Sequence, residues 1–124
     1  MPVKVITSQD WDKVTSSEKF LLVNFSAKRC GFCMALDPLY SRLADSYEGR
    51  LTFAKVMVDE NQDLARKMGV EGTPTLKFYC KGRAVGEHVG YAIEPALRKK
   101  IDEMLAEMEA CYSNSTPLKA AQAE

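Results

Sequence analysis

Between residues 20 and 47 the apolar pattern changes period, and it changes at a pair of cysteines. Phe20-Leu21-Leu22-Val23-Asn24-Phe25 is a continuous β-prone run. Beyond Ser26-Ala27-Lys28-Arg29-Cys30-Gly31-Phe32-Cys33-Met34, the apolar residues Leu36, Leu39, Tyr40, Leu43 and Tyr47 recur at three- and four-residue intervals. The switch predicts a buried strand, a short loop, and a helix whose opening carries Cys30 and Cys33.

A helix start is a chemically loaded place for a thiol. The first backbone N–H groups have no intrahelical partner and carry partial positive charge, which favours thiolate over thiol. Lys28 and Arg29 add positive charge just upstream. With two residues between them, Cys30 and Cys33 can reach each other, so either can displace a partner bound to the other. The arrangement predicts thiol–disulfide exchange, with Cys30 as the accessible nucleophile and Cys33 as the buried resolving thiol. A structural or zinc-binding pair is the competing reading, but zinc needs more ligands, His88 is the only histidine, and there is no second CxxC.

In this setting Cys30-Gly31-Phe32-Cys33 resembles the active site of the thioredoxin family, and later segments match in order over roughly the first 108 residues. Pro38, five residues after Cys33, is similar to the proline that kinks the family's active-site helix, and Ala54-Lys55-Val56-Met57-Val58-Asp59 resembles its third strand. Gly69-Val70-Glu71-Gly72-Thr73-Pro74-Thr75 resembles the segment that holds its cis-proline. Gly90, followed by Tyr91, resembles a glycine lining its substrate groove. The resemblance implies that Gly72, Thr73, Pro74, Gly90 and Tyr91 bind substrate, with the backbone of Thr73 pairing with an extended segment by strand addition.

Three positions depart from the family pattern. Arg29 stands where the family usually has Trp, exchanging an aromatic surface for a cation; we expect a lowered Cys30 pKa and a preference for acidic partners. Phe32 stands beside Gly31 in place of the usual Pro, and we expect a potential less reducing than the roughly −270 mV of a typical member. Asn24 replaces a buried Asp usually cast as proton acceptor for the resolving thiol, and an amide accepts no proton at physiological pH. Lys55 matches a nearby family Lys and, on this reading, has lost its partner, leaving water or Lys55 itself to assist.

The remaining pattern completes the architecture. Val3–Ile6 predicts a first strand, Ser8 a cap for a helix to about Lys13, and Ser16–Lys19 a loop. The helix after Cys33 should end at Gly49. Residues 51–58 predict a strand buried on both faces, and Asn61 a cap for a short helix to Met68, closed by Gly69. Thr75–Cys80 and Ala84–Val89 predict a hairpin around Lys81-Gly82-Arg83. Pro95 opens a last helix with Leu97, Ile101, Met104, Leu105 and Met108 on its core face. From Glu109 the pattern fades, so residues 1–108 read as one thioredoxin-like domain and 109–124 as a frayed helix end and mobile tail. The expected fold is α/β, a three-layer sandwich with a central mixed sheet between helices. Cys80 reads as a buried, inert thiol, Cys111 as an exposed cysteine open to regulatory or intermolecular disulfides, and His88 as a solvated strand residue.

Composition narrows the function classes. Seventeen basic and seventeen acidic residues cancel, which leaves no global field toward nucleic acid or anionic membrane, and no stretch has the length of a membrane span. Four cysteines with no apolar leader predict a reducing, cytoplasmic setting. The expected protein is a monomeric protein-disulfide reductase that needs no bound cofactor. It would act on disulfide-containing target proteins and draw electrons from a separate thioredoxin reductase, dependent on either NADPH and flavin or ferredoxin. Two alternatives stay open: an iron–sulfur or metal-binding protein in which two chains each lend a CxxC, since Cys-Gly-Phe-Cys is similar to the Cys-Gly-Phe-Ser of monothiol glutaredoxins, and a non-catalytic scaffold of the same fold.

Overall fold

A computed structural model describes residues 3–122 of the chain, with side chains as far as Ser113. The elements in order are β1 (Val3–Val5), α1 (Trp11–Ser17), β2 (Phe20–Ser26), α2 (Gly31–Ser46), β3 (Thr52–Met57), a short 3-10 turn (Val58–Glu60), α3 (Gln62–Lys67), β4 (Thr75–Cys80), β5 (Arg83–Val89) and α4 (Glu94–Gln122). The sheet order is β1-β3-β2-β4-β5. Strands β1, β3 and β2 run parallel, β4 is antiparallel to β2, and β5 returns antiparallel to β4.

Every residue of β2 is buried, because it lies between two strands and beneath helices on both faces. Its alternation divides the core. Phe20 and Leu22 pack with Phe53, Leu76 and Phe78 against Leu36 and Tyr40 of α2 and Leu97, Ile101 and Met108 of α4. Leu21, Val23 and Phe25 pack with Val56 and Tyr79 against Trp11 of α1 and Leu64 of α3. The three expected layers follow, with the mixed sheet in the middle. Tyr40 fastens α2 to the sheet: its hydroxyl lies 2.7 Å from the Ala54 carbonyl and 3.0 Å from that of Leu22.

Two expected helix caps act elsewhere. The Ser8 backbone N–H and hydroxyl both donate to Asn61 Oδ1, at 2.8 and 3.1 Å, while Asn61 Nδ2 donates to the Met57 carbonyl at 2.9 Å. Each polar side chain expected to cap a helix thus ties the loop after β1 to the loop after β3, and α1 begins at Trp11 and runs to Ser17, past the expected end at Lys13. Helix α2 stops at Ser46, and Gly49 takes a left-handed φ of +87° in the turn beyond it. Lys81 and Gly82 both have positive φ, as a two-residue hairpin turn requires, which lets β5 start one residue early at Arg83.

The largest correction concerns the two other cysteines. Cys80, expected as an inert thiol, is disulfide-bonded to Cys111. Cys111 follows Met108 by three residues, so it continues the buried stripe of α4 and faces the end of β4. The helix is accordingly held beyond Met108, where the fading apolar pattern predicts fraying. Tyr112 also packs edge-on to Phe20, with ring centroids 6.0 Å apart. Residues 123 and 124, and the side chains from Asn114 onward, lie outside the described part; the backbone of the expected tail is helical as far as Gln122.

Two stability tests follow. The Cys80–Cys111 bond closes a 31-residue separation, and loss of such a loop constraint corresponds to about 3 to 4 kcal/mol; Cys111→Ser should lower the unfolding free energy of oxidised protein by about that amount in urea titrations. Glu18 accepts from Thr52 Oγ1 at 2.6 Å and pairs with Lys4 at 3.0 Å, and these contacts, the Thr52 bond foremost, hold its carboxyl below the usual range against the opposing effect of burial. A lowered folded-state pKa gives stability that is present above the unfolded-state value and lost as pH falls through the folded one. Glu18→Gln should therefore cost up to about 1 kcal/mol at pH 7, and the deficit should shrink and vanish as acid protonates the parent's Glu18.

Candidate active site

The loop leaving β2 delivers Cys30 to the N-cap position of α2, where extended backbone (φ −141°, ψ 107°) turns into helix and Sγ accepts the Cys33 backbone N–H at 3.1 Å. Cys30 and Cys33 are joined as a disulfide, with Cα atoms 5.2 Å apart. Cys33 is 1% exposed and Cys30 half-buried, so a partner approaching from solvent meets Cys30. The helix-start N–H aimed at Cys30 Sγ also favours negative charge there once the disulfide is opened.

The loop itself is pinned from the end of β3. The Lys28 backbone N–H donates to Asp59 Oδ2 at 3.0 Å, and Lys28 Nζ pairs with Glu60 at 2.8 Å. That pair neutralises the charge Lys28 is expected to bring to the dithiol. Arg29 is exposed and makes no ion pair among the described residues, so the free cation beside Cys30 is Arg29 alone of the two.

Three segments meet at the dithiol. The Thr73–Pro74 bond is cis and the Thr73 carbonyl oxygen lies 3.6 Å from Cys30 Sγ, a van der Waals contact in the disulfide that a reduced thiol could turn into a hydrogen bond. Thr75 Oγ1 donates to the Gly72 carbonyl at 2.6 Å, and the Gly90 N–H donates to the Pro74 carbonyl at 2.8 Å. Gly90 has φ +94°, a conformation that requires glycine, and it places Tyr91 against Phe32: the rings stack at 6.4 Å with 25° between planes. Phe32 is 66% exposed, so an aromatic surface stands next to Cys33 in the chain although Arg29 replaces one upstream. A Cβ at Gly31 or Gly72 would meet nothing within 4 Å, and nothing in the structure demands glycine at either position.

On the sheet face that α2 covers, the arrangement differs from expectation. Asn24 is fully buried, and neither Oδ1 nor Nδ2 has a hydrogen-bond partner among the described residues. Lys55, paired with Asn24 across the β2–β3 ladder, is not without a partner: its Nζ bonds both carboxylate oxygens of Asp37, at 3.0 and 3.1 Å. Asp37 escaped the sequence reading, although its place four residues after Cys33 on the same helix face was a usable signal. His88, expected in solvent, is half-buried opposite Leu76, with Nε2 enclosed and without a hydrogen-bond partner among the described residues. Among the described residues no group of three or more His, Cys, Asp or Glu could hold a metal ion, and no helix is long and apolar enough to cross a membrane.

Comparison with known proteins gives consistent matches. The family model described as Thioredoxin matches residues 2–103. The chain is 41% identical over 91 residues to a thioredoxin of Chlorobaculum thiosulfatiphilum, covering 73% of this chain and 84% of that protein. A solved mutant thioredoxin from Halobacterium salinarum superposes with a TM-score of 0.74 at 37% identity, covering 82% of this chain and 88% of that one. Thioredoxin of Plasmodium falciparum does so with a TM-score of 0.75 at 31% identity, covering 81% and 97%.

The unpartnered Asn24 makes a pH test possible. A carboxylate placed there by Asn24→Asp would lose its hydration, which raises its folded-state pKa. The sign is then opposite to that of Glu18: stability matches the parent in acid and falls as pH rises above the unfolded carboxylate value. Urea unfolding of Asn24→Asp should agree with the parent at pH 4 and show a deficit above about 1.4 kcal/mol, one pKa unit, at pH 7.5.

Proposed function

The chain belongs to the thioredoxin family and is a thiol–disulfide oxidoreductase acting on protein disulfides, and on that premise we propose how its own residues divide the work. Cys30 thiolate attacks one sulfur of a target disulfide, forming a mixed disulfide and releasing the other target sulfur as a thiolate. Cys33 then loses its proton and attacks the Cys30 sulfur, releasing the second target thiolate and leaving the Cys30–Cys33 disulfide. Two electrons pass to the target. Members of the family are returned to the dithiol by a reductase; for this chain the donor would be an NADPH-flavin or a ferredoxin-dependent enzyme.

The observation that carries this division is the contrast in exposure at the N-terminus of α2, where Cys30 is reachable and Cys33 is 1% exposed. Around them, Thr73 and Pro74, with Gly72 before and Gly90 and Tyr91 across the groove, would receive an extended target segment through its backbone. Phe32 and Tyr91 would meet an apolar side chain of that segment, and Arg29 would favour an acidic one. Gly31 spaces the dithiol. Asn24 and Lys55 support it from below.

The reading extends to a monomer working in the cytoplasm, whose domain takes in the 1–108 stretch and continues at least to Cys111 and Tyr112, which are tied to Cys80 and Phe20. The need for a reductase-fed dithiol supports that setting. Neither a metal cluster nor a purely non-catalytic scaffold gains support from the geometry.

The test is trapping. Cys33→Ser should accumulate a mixed disulfide with a disulfide-bonded peptide, through Cys30 and stoichiometrically, as read by mass spectrometry. Cys30→Ser should form none and show no reductase activity. Retained activity in Cys30→Ser would overturn the assignment.

A further inference from the structure

Resolution poses a proton problem that the side chains beneath Cys33 must solve. The attacking species is the thiolate, and burial of Cys33 favours its neutral thiol. Asn24, on the same face of the sheet, cannot take the proton. That face carries a row across four strands: Lys55 of β3 is paired with Asn24 of β2, Asn24 with Leu76 of β4, and Leu76 with His88 of β5. Helix α2 covers the row, since Leu22, two residues before Asn24, packs on Leu36 and Tyr40.

From above the row, α2 contributes one carboxylate near the dithiol. Asp37 stands four residues after Cys33, so their Cβ atoms are about 5–6 Å apart on one helix face. Both of its oxygens are held by Lys55 Nζ, at 3.0 and 3.1 Å, from the sheet position next to Asn24. The Asp37 side chain is 43% exposed, so a proton received there can leave to water.

We propose that Asp37, held in position by Lys55, is the proton acceptor for Cys33 in the resolution step. This rests on the assignment of Cys33 as resolving thiol. The Cys33 S–H proton passes to the Asp37 carboxylate, directly or across one water; the Cys33–Cys30 S–S bond forms as the bond from Cys30 to the target breaks; and the proton ends on the departing target thiolate or in solvent. A carboxylate absent from the strand is in this way supplied by the helix, while Lys55 keeps an ionised partner instead of a neutral amide.

Other ionisable groups on this face are accounted for. His88 is screened from Asn24 by Leu76. Tyr40 is fully buried, which keeps its hydroxyl protonated well above the ordinary range. From α4, Glu94 is bound to Arg42 and Arg98, and Asp102 accepts from Tyr47.

The experiment is single-turnover reduction of a disulfide-bonded reporter peptide by the full chain from pH 5.5 to 9.5, with acid quenching to separate mixed-disulfide formation from its resolution. Asp37→Asn should leave formation unchanged and slow resolution about tenfold or more at pH 7, the deficit vanishing at alkaline pH as Cys33 ionises unaided. Adding Asn24→Asp to Asp37→Asn should restore resolution near neutrality, which a merely structural role for Asp37 would not produce. Lys55→Met should slow resolution less than Asp37→Asn. Unchanged resolution in Asp37→Asn, or slowing in His88→Gln with Asp37→Asn normal, overturns the proposal and leaves the Cys30–Cys33 assignment intact. Absence of any mixed disulfide in the parent chain would overturn that assignment as well.

Discussion

The structure depends on a strand that has nowhere to move. With β3 on one edge, β4 on the other and a helix layer on each face, β2 is fixed in register, direction and height. A slip of one residue would carry Phe20 and Leu22 to the α1/α3 side and strand Asn24 in a different layer. Fixing the strand also fixes where it ends, and its end is where α2 starts. The position of Cys30 at a helix N-terminus is therefore a consequence of core packing some distance away, which is why a flexible-looking Ala27–Arg29 loop can present a sulfur at a defined place.

Around that fixed point, backbone groups do most of the binding geometry and few side chains are specialised. The helix-start N–H reaches Cys30, the Thr73 carbonyl lies against it, and the Gly90 N–H and Pro74 carbonyl hold two loops together. On the proposed reading, such a site would accept extended chain in general. What individualises it are Arg29, Phe32 and Tyr91 at the rim and the Asn24, Lys55 and Asp37 set on the sheet and helix; on the proposed assignments, selectivity and proton handling would sit in two separate layers of the same site.

Period and punctuation made the sheet, the helices and the dithiol legible, because those signals are local: β4 falls where the pattern places it, and β2 and the start of α2 differ by a residue. What stayed hidden is non-local. Ser8 and Asn61 both look like caps until they are seen to satisfy each other across 53 residues of sequence. Lys55 looks unpartnered when only its strand neighbours are considered, since its partner comes from the helix overhead. Cys111 continues a three- and four-residue stripe, but that stripe had already lost its larger apolar members, so the cysteine read as tail. The burial of His88 required knowing which face of an edge strand is covered.

The Cys80–Cys111 bond also partitions the chain mechanically. Under tension applied at the two ends, load passes directly from the end of β4 to the last turns of α4, and the intervening hairpin strand and most of α4 are bypassed. The bypassed segment, 31 residues in separation, corresponds to about 100 Å of extended chain that cannot be drawn out while the bond is intact. The dithiol lies outside this loop, so opening the active site frees only its own three-residue separation, about 10 Å of chain, and leaves the larger loop closed.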